Sequence, residues 1–548
     1  MNLVQVIPLG GASEIGRSCT AIIQDDDMII VDAGLSFPDE EMYGVDIVIP
    51  DFKYIIENKH KLRAIFLTHG HEDHIGALSF LLPHVKCPVY GTEFTLTMVR
   101  PKLSEKKCLK TADLHPIKAG EIIHAGSFSI EPVQMTHSIP DNCSYAIRSK
   151  HGIILMTSDF KFDFTPIDGK LTNLSRFAEF ANEGVLLMLS DSTNVDREGW
   201  GPSEKIVSEG LRKAFIEAPG RVLITTFASN IHRMQQAFTV AEETGRKVAI
   251  AGRRMEQNIS ACAKMGYVHF DPETYIGLDE VHHYPPEQIV ILTTGSQGEP
   301  LSALVQMSKE TYSRLKIIEG DTILYCARPI PGNEAAIWRT VNRLFTMGAR
   351  VIYDSPTPIH VSGHAYKEEL KMMINLVKPF YLAPIHGEPR HQYLYREMSL
   401  AMGYPEHRIF LMEEGVPLCM DETNAWLGES VPSGEVWLDK SGTSSITEEI
   451  MKERMSLAND GVLSITLLLD KKQSKLKGKP KIQSKGFSGN PKILNELATL
   501  AEEALEDPKP SSYRNIQEAE QMLLKTLKKH IQSKTKLSPL VLIHLIEV

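Results

Sequence analysis

The sequence predicts an α/β protein of several domains, and three observations carry this prediction. Apolar runs of strand length, such as Met28-Ile29-Ile30-Val31, alternate with glycine turns and short helical stretches through residues 1 to about 200. From about 205 to 350 the order becomes strand, loop, helix, strand, which favours a parallel sheet. Residues 456–548 contain two strands and two amphipathic helices, which indicate a small α+β domain.

Length and composition set the class of protein. A chain of 548 residues with 42% hydrophobic content is long enough for a large core and several domains. Its first residues lack the basic start and long apolar segment of a signal peptide, and no apolar run has the length of a membrane span. The seven cysteines are scattered and include no CxxC pair. We therefore expect a cytoplasmic protein without disulfides and without a membrane partner.

The stretch Thr68–Gly76 places three histidines and two carboxylates within six residues. It follows the apolar run Ala64–Leu67, which is typical of a buried strand that delivers its loop to a sheet edge. Neutral imidazole and carboxylate suit Zn²⁺ or Mn²⁺, and the lack of a nearby cysteine excludes a closed thiolate site. The alternative is a solvated polar loop that happens to be rich in histidine.

The pattern His-x-His-x-Asp-His, formed by His69, His71, Asp73 and His74, resembles the signature of the metallo-β-lactamase fold. The resemblance implies two metal ions with a hydroxide between them, and further ligands at the ends of later apolar runs. Three residues stand at such positions: His137, Asp159 and His386. By the same likeness, one ion would be bound by His69, His71 and His137. The other would be bound by Asp73, His74 and His386, with Asp159 bridging both ions.

Asp32 closes the apolar run Met28–Val31. The metallo-β-lactamase resemblance implies that it supports the metal-binding histidines and fixes the orientation and tautomer of their rings. An Asx turn before Gly34 is the alternative interpretation. The loop Gly10–Gly16 lacks the lysine of a phosphate-binding P-loop, so we interpret it as a turn.

The parallel α/β segment lies between Asp159 and His386, so it is inserted into the metal-binding domain. Such an insertion resembles that of the β-CASP nucleases, which cut nucleic acids. Three motifs match this family in the expected order: Leu189–Asn194 with Asp191, His360–Ala365 with His364, and Ile385–Glu388. The second motif, the stretch Thr293–Pro300 and the chain length are most similar to the bacterial ribonuclease J family, over essentially the whole chain. One departure is Ala12-Ser13, where a glycine is expected.

This resemblance implies a metallo-β-lactamase αββα sandwich with an inserted parallel α/β β-CASP domain and a small C-terminal α+β domain. The predicted segments are 1–204 and 351–435 for the metal-binding domain, 205–350 for the insertion, 436–455 for a linker and 456–548 for the last domain. The implied protein is a metal-dependent ribonuclease with two Zn²⁺ or Mn²⁺ ions. It would have 5′-to-3′ exonuclease and endonuclease activity in rRNA processing and mRNA decay.

Hydrolysis would expel a 3′-oxyanion, whose protonation needs an acid with a pKa near the working pH. We expect His364 to be that acid and Asp191 to keep it charged, with Asp73 also needed for catalysis. The alternative is that His364 only binds a phosphate.

Two loops of the inserted segment are candidates for binding a 5′-monophosphate, because helix N-termini attract anions. They are Ser229-Asn230 with Arg233 one turn on, and Ser296-Gln297-Gly298. Both are equally typical of ordinary capped helix starts. The family resemblance implies a terminal phosphate in the inserted domain and the chain of a single-stranded RNA in the loop His360-Val361-Ser362-Gly363-His364.

The charge is distributed unevenly. The whole chain carries a net charge of −10, whereas residues 456–548 contain 15 basic and 10 acidic residues, a net charge of +5. Seven lysines lie within fifteen positions: Lys471, Lys472, Lys475, Lys477, Lys479, Lys481 and Lys485. They either form a solvated connection or contact phosphates. The resemblance associates this domain with homodimer or homotetramer assembly and leaves RNA-degradation complex proteins as further partners.

Three other functions stay open at this point. A β-CASP enzyme that cuts DNA would share every motif, and only the ribonuclease J likeness favours RNA. A small-molecule metallo-hydrolase would use the same ligands but would not need the inserted domain or the pair His364 and Asp191. A non-catalytic RNA-binding or scaffold protein would not need a competent residue at every ligand position.

Overall fold

A computed structural model describes residues 3–39, 41–330, 332–439, 441–442, 445–470, 476–506 and 516–548. The chain divides into two compact units, Met1–Asp39 with Ile47–Val436 and Glu40–Asp46 with Trp437–Val548. Among the described residues, no helix is long and apolar enough to cross a bilayer. The first three lysines of the predicted cluster, Lys471, Lys472 and Lys475, lie outside the described residues.

The first unit begins with strands joined by short helices. The strands are β1 (Val4–Gly10), β2 (Cys19–Gln24), β3 (Asp27–Val31), β4 (Ile47–Pro50), β5 (Leu62–Phe66), β6 (Pro88–Thr92), β7 (Asp113–Ile117), β8 (Ile123–Ala125), β9 (Phe128–Gln134), β10 (Cys143–Ser149), β11 (Gly152–Met156) and β12 (Val185–Asp191). The helices are α1 (Lys53–Glu57), α2 (Glu72–Ile75), α3 (Leu78–Leu81), α4 (Glu93–Glu105) and α5 (Leu174–Glu183).

Helices and parallel strands then alternate before the chain returns to the first sheets. The inserted segment contains α6 (Ile206–Glu217), β13 (Val222–Thr225), α7 (Ile231–Glu243), β14 (Lys247–Ala251), α8 (Arg253–Lys264), β15 (Ile289–Thr293), α9 (Ala303–Ser308), β16 (Thr322–Tyr325), α10 (Glu334–Thr346) and β17 (Arg350–Ile352). After it come α11 (Lys367–Val377), β18 (Tyr381–Ile385), α12 (Pro389–Ala401), β19 (Leu418–Met420) and β20 (Ala425–Leu427).

Two sheets face each other across the main core of this unit. One has the strand order β20-β19-β1-β2-β3-β5-β6-β7, and the other has the order β18-β12-β11-β10-β9-β8. Phe66 of the first sheet and Leu189 of the second belong to one buried apolar cluster between them. Phe177 of α5, Leu370 of α11 and Tyr395 of α12 pack on the outside of the second sheet, and α4 packs on β6 and β7 of the first. The predicted αββα sandwich is therefore confirmed.

The inserted segment forms a separate sheet in the order β14-β15-β13-β16-β17, and its paired strands run parallel. β15 is buried at every position, as expected for a parallel strand covered by helices on both faces. The predicted parallel α/β insertion is confirmed.

The second unit has its own small core. It contains β22 (Ser445–Ile446), α13 (Glu448–Asp460), β23 (Val462–Leu469), β24 (Lys481–Lys485), α14 (Pro491–Glu506), α15 (Ile516–Thr535) and β25 (Leu540–Glu547), while β21 (Glu435–Leu438) begins in the first unit. The sheet β24-β23-β25 packs one face on α14 and α15 through residues such as Leu463, Leu497 and Leu523. This arrangement confirms the predicted α+β class.

The stretch 436–455, predicted as a linker, contains regular structure. The helix α13 begins within it, where the Thr447 side chain accepts a hydrogen bond from the Ile450 N–H and Glu448 and Glu449 occupy the first turn. A threonine cap followed by two acidic residues stabilises a helix start, and this local signal outweighs the surrounding glycine and serine.

Candidate metal centre

The predicted metal-binding residues of the first unit follow the carboxyl ends of strands. β11, β12 and β18 are neighbours in one sheet and run parallel, so their carboxyl ends lie at one edge. Asp159 follows β11, Asp191 ends β12 and His386 follows β18. Their side chains, together with His364, offer donor atoms within 4.8 Å of one another.

Three histidines form the first group of donors. The His69 Nε2 atom lies 3.0 Å from His71 Nδ1, which in turn lies 3.2 Å from His137 Nε2. The three donor atoms all lie within 4.8 Å of one another. Burial is the main cause that lowers the pKa of all three rings, to about 4 for His71. The rings are therefore neutral at physiological pH, which is the form that binds a metal ion.

The outer ring nitrogens of two of these histidines already have hydrogen-bond partners. His137 Nδ1 donates to the Gly363 carbonyl at 2.7 Å, and His69 Nδ1 lies 3.0 Å from the Thr68 hydroxyl. With a proton on each outer nitrogen, the Nε2 atoms of His69 and His137 present lone pairs to the same point as His71 Nδ1. Converging lone pairs without a donor between them repel one another, whereas a cation satisfies all three. The residues thus fit a metal ion.

The second group contains Asp73, His74, Asp159 and His386, whose donor atoms also lie within 4.8 Å of one another. His74 Nε2 lies 3.2 Å from Asp159 Oδ2, and His386 Nε2 lies 3.3 Å from Asp73 Oδ2. Burial opposes a charge on His74, but the Asp159 and Asp32 carboxylates raise its pKa above the ordinary value. A set of two carboxylates and two imidazoles around one point is a donor set for a hard or borderline divalent cation.

Asp32 supports this group from behind. Its Oδ2 atom accepts from His74 Nδ1 at 2.7 Å and from the Thr68 hydroxyl at 2.8 Å, while Oδ1 accepts from the Thr68 N–H at 2.8 Å. Burial raises the pKa of Asp32, and the adjacent His74 counteracts this. The contact leaves His74 Nε2 facing the other donors, so Asp32 fixes both the ring and its tautomer.

His364 and Asp191 lie next to the second group. His364 Nδ1 lies 2.9 Å from Asp191 Oδ2, and Asp191 Oδ1 accepts from the Thr193 N–H at 2.9 Å. Although burial opposes protonation of His364, Asp191 and then Asp159 raise its pKa to about 9. The ring is therefore charged at neutral pH, and a buried carboxylate orients it.

The loop that carries His364 packs directly on the first group. A Cβ atom at Gly363 would lie 2.7 Å from the His137 ring, so only glycine permits this approach. The Ser362 hydroxyl accepts a hydrogen bond from the Asn194 side chain at 2.7 Å. Val361 is buried, and burial lowers the pKa of His360. Only part of the loop His360–His364 therefore faces outward.

The side chains of the two predicted phosphate loops differ in how far their polar groups are already paired. Asn230 caps α7 by accepting from the Arg233 N–H, beside the partly buried Ser229. The Gln297 amide donates to the Arg328 carbonyl and accepts from the Ile330 N–H. Gly298 has a φ of +75°, and a Cβ atom there would lie 2.7 Å from the Ala336 Cβ atom, so the position favours glycine. Ser296 differs, because its buried hydroxyl has no hydrogen-bond partner among the described residues.

Arg233 requires a correction. Its guanidinium is fully buried and binds Glu204 at 2.7 Å, and it also donates to the Ile359 carbonyl at 2.8 Å. A guanidinium already paired with a buried carboxylate is not available to an anion in solution. Arg233 therefore joins α7 to neighbouring segments and is not part of an open phosphate pocket.

Sequence reasoning missed several residues that hold the site together. Thr193 contacts His386 Nδ1 at 3.0 Å, and Asn142 donates to the Asp159 carbonyl at 2.7 Å. Asn194 donates to the His364 carbonyl at 3.1 Å. Thr193 and Asn194 lie in the motif that identified Asp191, so their place beside that carboxylate was a usable signal. Asn142 lies in no motif and is found only from the fold.

The αββα sandwich, its parallel insertion and the histidine and aspartate groups define a metal-dependent hydrolase of the metallo-β-lactamase superfamily with a β-CASP domain. The matching family descriptions are "Metallo-beta-lactamase superfamily" for residues 13–171, "Ribonuclease J, beta-CASP domain" for 219–344, "Zn-dependent metallo-hydrolase RNA specificity domain" for 357–407 and "Ribonuclease J C-terminal domain" for 449–548. The chain is 37% identical to Ribonuclease J2 of Bacillus subtilis over 548 residues, which cover 100% of this chain and 99% of the relative.

A second relative, Ribonuclease J of Thermus thermophilus, is 41% identical over 92% of this chain and 88% of its own length. A solved structure of a protein of unknown function from Enterococcus faecalis aligns with a TM-score of 0.55 at 17% identity, over 76% of this chain and 100% of that one, and it supports the fold alone. On the full-length relatives, the chain belongs to the ribonuclease J family.

Proposed function

We propose that this chain, a metal-dependent ribonuclease by family, hydrolyses phosphodiester bonds of single-stranded RNA at a centre of two divalent ions. The observation that carries the proposal is the pair of adjoining donor groups, with Asp159 in the second group and 3.9 Å from His137 of the first. When bound, two Zn²⁺ or Mn²⁺ ions would supply a nucleophile derived from water and neutralise charge on the phosphoryl oxygens.

Each residue has a defined part in this proposal. The first ion would be held by His69, His71 and His137, and the second by Asp73, His74 and His386. Asp159 would contact both. His364 would give the proton on its free ring nitrogen to the leaving 3′-oxygen, while Asp191 accepts from the other nitrogen and stabilises the charged ring.

We also propose that the enzyme removes nucleotides from a 5′-monophosphate end besides cutting internally. The support is a pair of buried hydroxyls, those of Ser296 and Thr226, that have no hydrogen-bond partner among the described residues. They follow β15 and β13, which are parallel neighbours, so both lie at the carboxyl edge of the inserted sheet. Buried hydroxyls without partners are costly, and phosphate oxygens would satisfy them.

Assembly and location belong to the same proposal. The sheet of the second unit exposes Leu468, Leu542 and Ile546, which alternate with core-facing residues of β23 and β25. We propose that this apolar face joins copies of the chain into a homodimer or homotetramer. We further propose a cytoplasmic enzyme of RNA maturation and decay, associated with RNA-degradation proteins. The domain boundaries given from the sequence, at 204, 350 and 435, stay part of this proposal.

One experiment tests the central proposal. Purified protein is incubated with matched single-stranded RNA and DNA in Mn²⁺ or Zn²⁺, with a chelator as control and a lactone and a thioester as further substrates. We expect cleavage of RNA that depends on the metal. Preferential cleavage of DNA would favour the DNA nuclease alternative, and turnover of only the small esters would overturn the proposal.

A further inference from the structure

Glu369, in the first turn of α11, has a fully buried side chain. Its Oε1 atom accepts from the Phe162 N–H at 2.7 Å, and its Oε2 atom accepts from the N–H groups of Gly201 and Tyr366, both at 2.8 Å. One carboxylate thus receives three backbone hydrogen bonds from three separate segments of the chain.

Each of these segments follows a residue of the site along the chain. Phe162 lies three positions after Asp159, and Tyr366 lies two positions after His364. Gly201 belongs to the loop that follows Asp191. Glu369 therefore joins the three segments that carry the shared carboxylate, the proton donor and the partner of the proton donor.

Other contacts show that these segments form one framework. The Phe160 N–H donates to Asp191 Oδ2 at 3.3 Å, and Asn194 donates to the His364 carbonyl at 3.1 Å. Further along, the Lys367 N–H donates to the Arg197 carbonyl at 2.9 Å. The loop after Asp191 therefore runs beside the loop after His364, and Glu369 connects both to the segment after Asp159.

Helix capping does not account for this arrangement. A glutamate at the third helical position commonly accepts from the residue that precedes the helix, and the bond from Tyr366 is of that kind. The bonds from Phe162 and Gly201 come from residues 207 and 168 positions away. A Cβ atom at Gly201 would lie 2.9 Å from Glu369 Oε2, so the glycine permits the close approach of that loop.

We propose that Glu369 is a positioning residue for proton transfer to the leaving group, because its carboxylate sets the spacing between the loop after Asp191 and the loop after His364. The backbone of Asp159 has a separate anchor in Asn142, which donates to the Asp159 carbonyl at 2.7 Å. The proposal rests on the proposed function of His364 as the acid. The three backbone N–H groups around this side chain need only acceptors, which a carboxylate supplies with both oxygens and an amide supplies with one. In Glu369→Gln one oxygen becomes an NH₂ group that faces a backbone N–H, so at least one of the three bonds is lost.

The test compares two substrates of the full-length, metal-loaded protein. RNA needs a proton on its leaving oxygen, whereas bis(p-nitrophenyl) phosphate expels p-nitrophenolate, which does not. We expect Glu369→Gln to lower kcat on RNA by about 10- to 100-fold, since displacement of a catalytic group by about 1 Å has an effect of this size. Its rate on the p-nitrophenyl ester should fall by less than about threefold.

A double-mutant cycle shows whether Glu369 acts through His364. In a His364→Ala background, Glu369→Gln should lower RNA cleavage by no more than about twofold, because residues of one network are not additive. An equal loss in both backgrounds would overturn the proposal. The same holds for an equal loss on both substrates.

Further variants separate positioning from folding. Glu131→Gln removes a buried carboxylate that binds Arg148 and Arg176, so it should affect both substrates alike. Gly201→Ala leaves Glu369 intact but displaces its loop, and it should reproduce the selective loss on RNA if Glu369→Gln folds poorly. Failure of the proposed function would look different, because His364→Ala would then affect both substrates equally in the otherwise unchanged protein.

Discussion

His364 Nδ1 and Asp191 Oδ2 lie 2.9 Å apart, although the two residues are 173 positions apart in the chain. The carboxylate is 1% exposed, so solvent screens this contact little. The pair therefore holds a charged imidazole beside the metal-binding groups, and its chemistry can be tested through the leaving group.

Replacing His364 by alanine should lower RNA cleavage by about 100- to 10,000-fold, the usual contribution of a general acid. Hydrolysis of bis(p-nitrophenyl) phosphate should be nearly unchanged, since p-nitrophenolate leaves without a proton. Steady-state rates on both substrates give the answer. Equal losses would indicate that His364 binds the phosphate and does not protonate the leaving group.

Replacing Asp73 by alanine should abolish cleavage of RNA and reduce the metal content of the purified protein. Its carboxylate lies 3.3 Å from His386 and belongs to the second donor group, so a metal ion would lose one of its oxygen ligands. Metal analysis by mass spectrometry is paired with turnover. His115→Ala, which changes a partly exposed histidine bonded to Asp113 outside both donor groups, is the control and should keep both properties. Wild-type turnover of Asp73→Ala would refute the ligand assignment.

The end group of the RNA should control the release of mononucleotides. One RNA is compared with a 5′-monophosphate, a 5′-hydroxyl or a 5′-triphosphate. We expect the monophosphate to react fastest, because a pocket for one phosphate excludes a triphosphate by charge and volume. Ser296→Ala should reduce this preference by about tenfold, the effect of one hydrogen bond to a charged group. Equal rates for the three ends, or release from the 3′ end, would show that no such pocket operates.

Glu414 should make stability depend on pH. Its carboxylate shares the buried Arg17 guanidinium with Glu14 and Glu435. Burial raises the pKa of Glu414 to about 7, and the adjacent Glu14 adds to this effect, whereas Arg17 opposes it. A carboxyl group with a raised pKa stabilises the fold below the unfolded pKa of about 4.5, and this contribution is lost as the pH rises to about 7. The difference in Tm, Glu414→Gln minus wild type, should therefore increase from pH 5 to pH 7.5. Calorimetry of both proteins at each pH measures this difference. A difference in Tm that does not change with pH would contradict this.

The outer face of the second unit's sheet should control assembly. Leu542→Glu places a charge on the exposed apolar face, so the protein should elute as a smaller species in size-exclusion chromatography with light scattering. Leu457→Glu changes an equally exposed leucine of α13 and should leave the mass unchanged. If both variants keep the wild-type mass, the sheet face is not the interface.

Much of the fold was predictable because its signals are local. The runs that became β5, β11 and β18 are apolar and short, and a donor residue follows each within a few positions. The order of these runs also placed the parallel insertion between Asp159 and His386. The structure of segment 436–455 was harder to predict from the sequence, because the cap of α13 at Thr447 is a single residue within a stretch that is typical of a linker.

By itself, the sequence determined which side chains can bind a metal ion and where each lies relative to a strand end, because both depend on residue type and on nearest neighbours. Tertiary structure decided which polar groups remain available. Arg233 follows a helix start that is typical of an anion site, yet Glu204, 29 positions away, neutralises its guanidinium. The sequence around Glu369 is typical of a helix cap. The N–H groups of Phe162 and Gly201 donate to its carboxylate only because three distant segments pack together. Burial and pairing across such separations have no signature in the local sequence.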